Sequence, residues 1–116
     1  MIEKDIIIRN FGDIIPATTN HGAGEKRVLI ANEETSTAIT QVAVTMLKKG
    51  EYVETHSHLT MEEHFIFLEG ECETTINGNM VMCSAGTFLK IPANTKHSLS
   101  PVTDIRMITI GIATEK

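Results

Sequence analysis

At 116 residues the chain has room for one domain with a modest core, and with a net charge of -5 and no basic run it offers little to nucleic acid or to an anionic membrane surface. Two cysteines cannot make a disulfide scaffold, Glu3 and Asp5 around the short apolar run Ile6-Ile7-Ile8 do not make a signal peptide, and no stretch reaches transmembrane length. The expectation is a soluble, cytoplasmic protein for which self-association would add apolar burial.

Helical periodicity is nearly absent; alternating, β-branched segments take its place. Residues 1–35 are expected to supply N-terminal strands, at 5–9 and 27–31, that pack on the rest of the chain or on a partner subunit. A flexible loop, Asn20-His21-Gly22-Ala23-Gly24, joins them, and residues 36–116 form the main β unit. In residues 39–47 alternation puts Ile39, Gln41, Ala43, Thr45 and Leu47 on one face and Thr40, Val42, Val44 and Met46 on the other. Lys48-Lys49-Gly50 turns the chain, residues 52–58 and 63–68 read as the next two strands, and Thr60-Met61-Glu62 bridges them.

Asn77-Gly78 is the clearest hairpin signal, since a type I′ turn needs positive φ at both central residues. A two-residue loop sets Ile76 opposite Asn79, Thr74 opposite Val81 and Cys72 opposite Cys83. The less charged face of this hairpin (Cys72, Thr74, Ile76, Val81, Cys83) is expected to point inward, with Glu71 and Glu73 outward. Turns at Ser84-Ala85-Gly86 and Pro92-Ala93-Asn94 bracket a short strand at 88–91. A strand over 96–100 is broken by Pro101, and 102–113 is a long last strand. Many short strands between close-set turns imply an all-β sandwich or barrel rather than a parallel sheet.

The chemistry concentrates in four residues. His56 and His58 are i and i+2 in a strand, so their rings project to one side. Glu62 and Glu63 then point to opposite faces, and Glu63 shares its face with Phe65 and Phe67, which suit an apolar interior. Glu63 is therefore the expected ligand, approaching from an antiparallel neighbour, and His97 completes the cage. Three imidazoles and one carboxylate suit manganese, iron, cobalt, nickel or zinc. Four protein ligands around a six-coordinate ion leave two positions open, as a catalytic site requires.

The segment 50–70, G-x(5)-H-x-H-x(4)-E-x(6)-G, resembles the first cupin motif without a mismatch. The segment 86–101 resembles the second, G-x(5)-P-x-G-x(2)-H-x(3)-N, with Asn94 in place of its glycine and Pro101 in place of its final asparagine. The strand pattern extends the likeness over about residues 36–113. The resemblance, to the small single-domain cupins of the RmlC-like superfamily, implies a jelly-roll barrel (a double-stranded β-helix) with an ion inside. It implies that His56, His58, Glu63 and His97 are the metal ligands, and that the chain forms a homodimer, often with N-terminal strands shared between subunits.

The remaining candidates carry less. Phe65 and Phe67 are expected at the pocket floor. Tyr52 and Glu54 share parity with His56 and aim inward if the strand stays regular; with Lys90 they are the candidate acids or bases. His64 should face away from the metal, Cys72 and Cys83 should be buried thiols, and the serines lack a nucleophile context. The methionines read as core or interface filler, and the apolar outward positions Ile66 and Leu68 suggest sheet-to-sheet association. The best reading is a metal-dependent enzyme acting on a small carbohydrate or organic acid, of the isomerase, epimerase or dioxygenase type. The competing readings are a non-catalytic module binding a sugar or other effector, and a structural role with a stabilising ion.

Overall fold

The computed structural model describes residues 5–19 and 22–114. Among these residues ten strands run in chain order: β1 Ala17–Thr18, β2 Glu25–Ala31, β3 Ile39–Leu47, β4 Val53–His56, β5 Met61–Glu69, β6 Glu71–Ile76, β7 Asn79–Ser84, β8 Phe88–Ile91, β9 His97–Pro101 and β10 Ile105–Ala113. All pairings are antiparallel. A six-stranded sheet, β1-β2-β3-β10-β5-β8, faces a four-stranded sheet, β4-β9-β6-β7. Between them lies one apolar core built on Leu47, Phe65, Phe67, Ile91, Leu99, Ile105 and Met107.

The hairpin forms in the expected register, with Ile76 opposite Asn79, Thr74 opposite Val81 and Cys72 opposite Cys83. Asn77 and Gly78 both take positive φ, 49° and 82°, as the tight turn demands. Cys72, Thr74 and Cys83 are fully buried, and both thiols are free. Val81 departs from the expected pattern at 46% exposure. It sits near the hairpin tip on β7, the edge of the smaller sheet, where no further strand covers it.

Several element boundaries differ from the reading above. Residues 5–9 make no strand; the short pairing of β1 with β2 replaces it, and β2 pairs with β3 of the same chain. Pro101 does not break the preceding strand but ends it, opposite Cys72. At a strand end the missing N–H removes at most one ladder bond. The last strand starts at Ile105 rather than at 102. Val102 and Thr103 instead turn back, their N–H groups donating to the Glu71 carbonyl at 2.9 and 3.3 Å. Gly70 makes this crossing possible. Its φ is +85°, and a Cβ there would lie 2.1 Å from the Asp104 carbonyl oxygen.

Two of the four register shifts bear on the site. On β3, Gly111 pairs Gln41 while Ile112 pairs Ile39, so Thr40 is an extra, unpaired residue. On β4, Val53 pairs Leu99 while His56 pairs His97, a shift of one residue. Such bulges reset which side chains face inward.

Candidate metal centre

His56 ends β4 and lies directly across from His97, the first residue of β9. His58 follows in the connecting loop, where its carbonyl accepts the N–H of Asn94 at 2.7 Å. Asn94 has φ 62°, so asparagine takes the left-handed turn that the glycine of the motif would take. Glu63 lies on β5. That strand belongs to the facing sheet, so the carboxylate reaches the histidines across the barrel and not, as expected, from a neighbouring strand.

The four side chains offer ligand atoms that all lie within 4.8 Å of one another. Ring centroids are 4.3 Å apart for His56 and His97, 5.0 Å for His56 and His58, and 5.8 Å for His58 and His97. Ligand atoms about 2.1 Å from one ion stand roughly 3 Å apart when adjacent and 4.2 Å when opposite. The observed spread therefore needs little contraction.

Hydrogen bonds set which ring nitrogens face inward. His56 Nδ1 lies 2.8 Å from the Glu54 carbonyl and His97 Nδ1 2.9 Å from the Thr95 carbonyl. A carbonyl accepts only, so each Nδ1 carries the proton and each Nε2 is left for the interior. His58 Nε2 is buried 3.1 Å from Glu63 Oε1, yet makes no hydrogen bond among the described residues. An orphaned imidazole nitrogen is costly, and a cation between it and the carboxylate removes the cost. The donor set and this orphaned atom fit a divalent transition ion.

Without an ion the charges settle differently. Burial pushes the Glu63 carboxyl up, but the His97 hydrogen bond and the neighbouring histidines outweigh it and hold the group below the ordinary carboxylate range. Burial pulls His97 down, and the Glu63 carboxylate with the Thr95 carbonyl outweighs that, so its proton is held more tightly than usual. His97 Nε2 then donates to Glu63 Oε1 at 3.1 Å. One proton fills part of the role the ion would take.

Glu62 and His64 point away from this cluster, as alternation requires. They bind each other at 2.5 Å, with Lys90 3.7 Å from Glu62. His64 is the main cause of the lowered Glu62 pKa.

The cluster opens into a cavity of about 310 Å³. Phe65 lines it. Phe67, expected beside it at the floor, is fully buried in the core behind, 6.5 Å from Phe65 between ring centroids. Tyr52 and Glu54 lie outside the lining, with Tyr52 51% exposed. The β4 bulge explains this, since Val53 and His56 both face inward although their parity differs. Lys90 is also outside. His21 falls outside the described residues.

The cavity also has a polar wall that the motifs did not announce: Lys26 on β2, Gln41 and Thr45 on β3, and Thr109 on β10. Lys26 Nζ donates to Gln41 Oε1 at 3.1 Å, and the Thr45 and Thr109 hydroxyls are 2.9 Å apart. A signal was present. Gln41 and Thr45 share a face with Ala43 and Leu47, and polar residues on an inward strand face call for polar company.

The family model of the cupin domain matches residues 43–111. The chain belongs to the cupin family. Solved cupin-like structures superimpose on it at low identity. A "predicted oxalate decarboxylase" from Thermotoga maritima is 23% identical, with 92% of this chain and 99% of that one covered, at a TM-score of 0.83. Ectoine synthase from P. lautus is 17% identical, covering 92% and 78%, at 0.80. An RmlC-like cupin from Shewanella frigidimarina is 15% identical, covering 93% and 91%, at 0.76. A search of curated protein sequences finds no match. At these identities the likeness is one of fold, and this cupin's chemistry must be argued from its own side chains.

Proposed function

We propose that this cupin is a metal-dependent enzyme acting on a small organic acid, with His56, His58, Glu63 and His97 holding one divalent transition ion. The observation that carries the reading is the convergence of those four ligand atoms, one of them orphaned and buried, at the end of a substrate-sized cavity. An ion held there would supply Lewis acidity toward a small acid or dioxygen. The chain's own part is to fix the imidazole tautomers through the Glu54 and Thr95 carbonyls and to keep bulk water out with Phe65, Val53 and Leu99.

Among the described residues lining the cavity, the only ionisable group outside the ligand set is Lys26. An isomerase or epimerase must move protons between carbon atoms and needs positioned acids and bases. The lining favours a dioxygenase or decarboxylase type, in which activation by the ion does most of the work. Cavities of about 300 Å³ lie at the small end for ligand sites, which matches a small substrate. A homodimer and a cytoplasmic location belong to the same proposal; exposed Leu68, Phe88 and Met82 are apolar surface that a second copy would cover.

Elemental analysis of protein purified without added metal should find about one transition ion per chain, lost in His58→Ala. Oxygen uptake and carbon dioxide release should then appear with small organic acids or diketones. Equally little metal in parent and variant would remove the ligand assignment. Metal without turnover, combined with tight sugar binding in calorimetry, would favour the non-catalytic binding module.

A further inference from the structure

Among the described residues, the cavity wall holds a cation with no anion in ion-pair reach. Lys26 pairs with Thr45 across the sheet, so its side chain leaves from the cavity face, and it is half-buried. Its ammonium meets the Gln41 amide oxygen at 3.1 Å, and no carboxylate lies within ion-pair distance among the described residues. Arg9, Arg27, Lys90 and Arg106, by contrast, each have a glutamate. A half-buried ammonium gives up part of its hydration, and a neutral amide oxygen returns only a dipole. Among the described residues the sole carboxylate on the cavity wall, Glu63, is already engaged with His97. In a chain of net charge -5 this interior spot is locally cationic, and more so once the cluster holds an ion.

We propose that Lys26, Gln41 and the Thr45–Thr109 hydroxyl pair form an anion subsite that holds a carboxylate of a small organic acid, while another part of the same molecule meets the histidine–glutamate cluster. This deepens the reading of the cavity given above and depends on it only for that second contact. Gln41 spends its oxygen on Lys26, leaving the amide N–H groups to donate to a bound carboxylate. Of the Thr45–Thr109 pair one hydroxyl donates to the other, and Thr109 Oγ1 also reaches the Ala43 carbonyl at 3.4 Å, so the Thr45 hydroxyl is free to donate to a ligand when Thr109 supplies the mutual bond. A carboxylate suits one point charge backed by neutral donors. A phosphate group calls for a denser array, such as an arginine fork or a nest of backbone N–H groups. A neutral sugar would leave the ammonium unmatched.

The test uses the full chain in two forms, metal-free and cobalt(II)-loaded, with malonate, succinate and glutarate as probes and succinamide as the neutral counterpart of succinate. The metal-free parent should bind at least one dicarboxylate, and succinate at least tenfold more tightly than succinamide. Lys26→Met should erase that preference, Lys26→Arg should retain most of it, and the cobalt absorption spectrum should be the same in all three. In the parent, the Lys26 ammonium nitrogen resonance should shift with succinate and stay put with succinamide, a readout that needs no variant to fold. Absence of binding by all three acids, or equal succinate affinity in parent and Lys26→Met, overturns the subsite. Failure of the parent to bind cobalt, with Lys26-dependent succinate binding intact, overturns the metal reading and supports the subsite. Cobalt binding with succinate indifferent to Lys26 does the reverse.

Discussion

His58→Ala separates the ion from the fold, because His58 is the proposed ligand whose ring nitrogen Nε2 makes no hydrogen bond among the described residues of the metal-free protein. Its Nε2 is buried without a hydrogen bond, and a buried unsatisfied nitrogen costs about 1–3 kcal/mol. Losing that cost offsets the packing lost with the ring, so the metal-free variant should sit within about 1 kcal/mol of the parent. Cobalt should distinguish them. At a free ion concentration one hundred times the parent's Kd, binding stabilises the parent by about 2.7 kcal/mol. At roughly 4 °C per kcal/mol for a domain of this size, that is a rise in Tm of about 10 °C. If loss of one of four ligands weakens binding about 100-fold, the same cobalt stabilises the variant by only ~0.4 kcal/mol, or roughly 2 °C. Thermal melts by circular dichroism, with chelator and with buffered cobalt, read both quantities. A full cobalt shift in His58→Ala would refute the ligand set. A large loss of stability in chelator would refute the account of the orphaned nitrogen.

Three further outcomes follow from the geometry. Gly70→Ala should lower the urea midpoint by the equivalent of roughly 2 kcal/mol or more, since positive φ alone costs about 1–2 kcal/mol in a residue with a side chain and the new Cβ meets the Asp104 carbonyl; an unchanged midpoint would mean the β5–β6 crossing is loose. Tyr52→Phe and Glu54→Gln should leave cobalt affinity unchanged, because both side chains lie outside the cavity; a tenfold loss in either would place that strand in a different register. In metal-free protein His97 binds its proton more tightly than an exposed histidine, so the stability it adds is full below about pH 6.5, the ordinary histidine value, and is lost as pH rises through the raised one. The ion must displace the same proton, so cobalt affinity should climb over that pH range and then level off. A flat affinity profile between pH 6 and 8.5, measured by calorimetry, would show that His97 holds no proton to displace.

The local chemistry of the chain was enough to specify a good deal. Asn77-Gly78 determined a hairpin and its register, because only residues at ease with positive φ close a two-residue turn and the pairing then follows by counting. Alternation separated Glu63 from Glu62, and the two cupin-like spacings brought out His56, His58 and His97 before any strand was placed. Where counting failed, a bulge was the cause. One extra residue on β4 turned Val53 inward and left Tyr52 and Glu54 outside, and another on β3 brought Thr40 onto the cavity wall beside Gln41. A bulge depends on how two strands accommodate each other, and no single strand's pattern contains it.

The same limit hid the cavity's polar wall. Lys26 stands far in sequence from Thr109 and from the histidines, one residue ahead of the strand expected at 27–31. It reaches the site because β2 extends the larger sheet beyond β3. Which sheet carries Glu63, and therefore that the carboxylate crosses the barrel to meet the imidazoles, was likewise a matter of long-range strand order. Residue type and spacing determined which groups could bind a cation. Sheet closure decided which of them meet, what faces them, and how much open volume is left beside them.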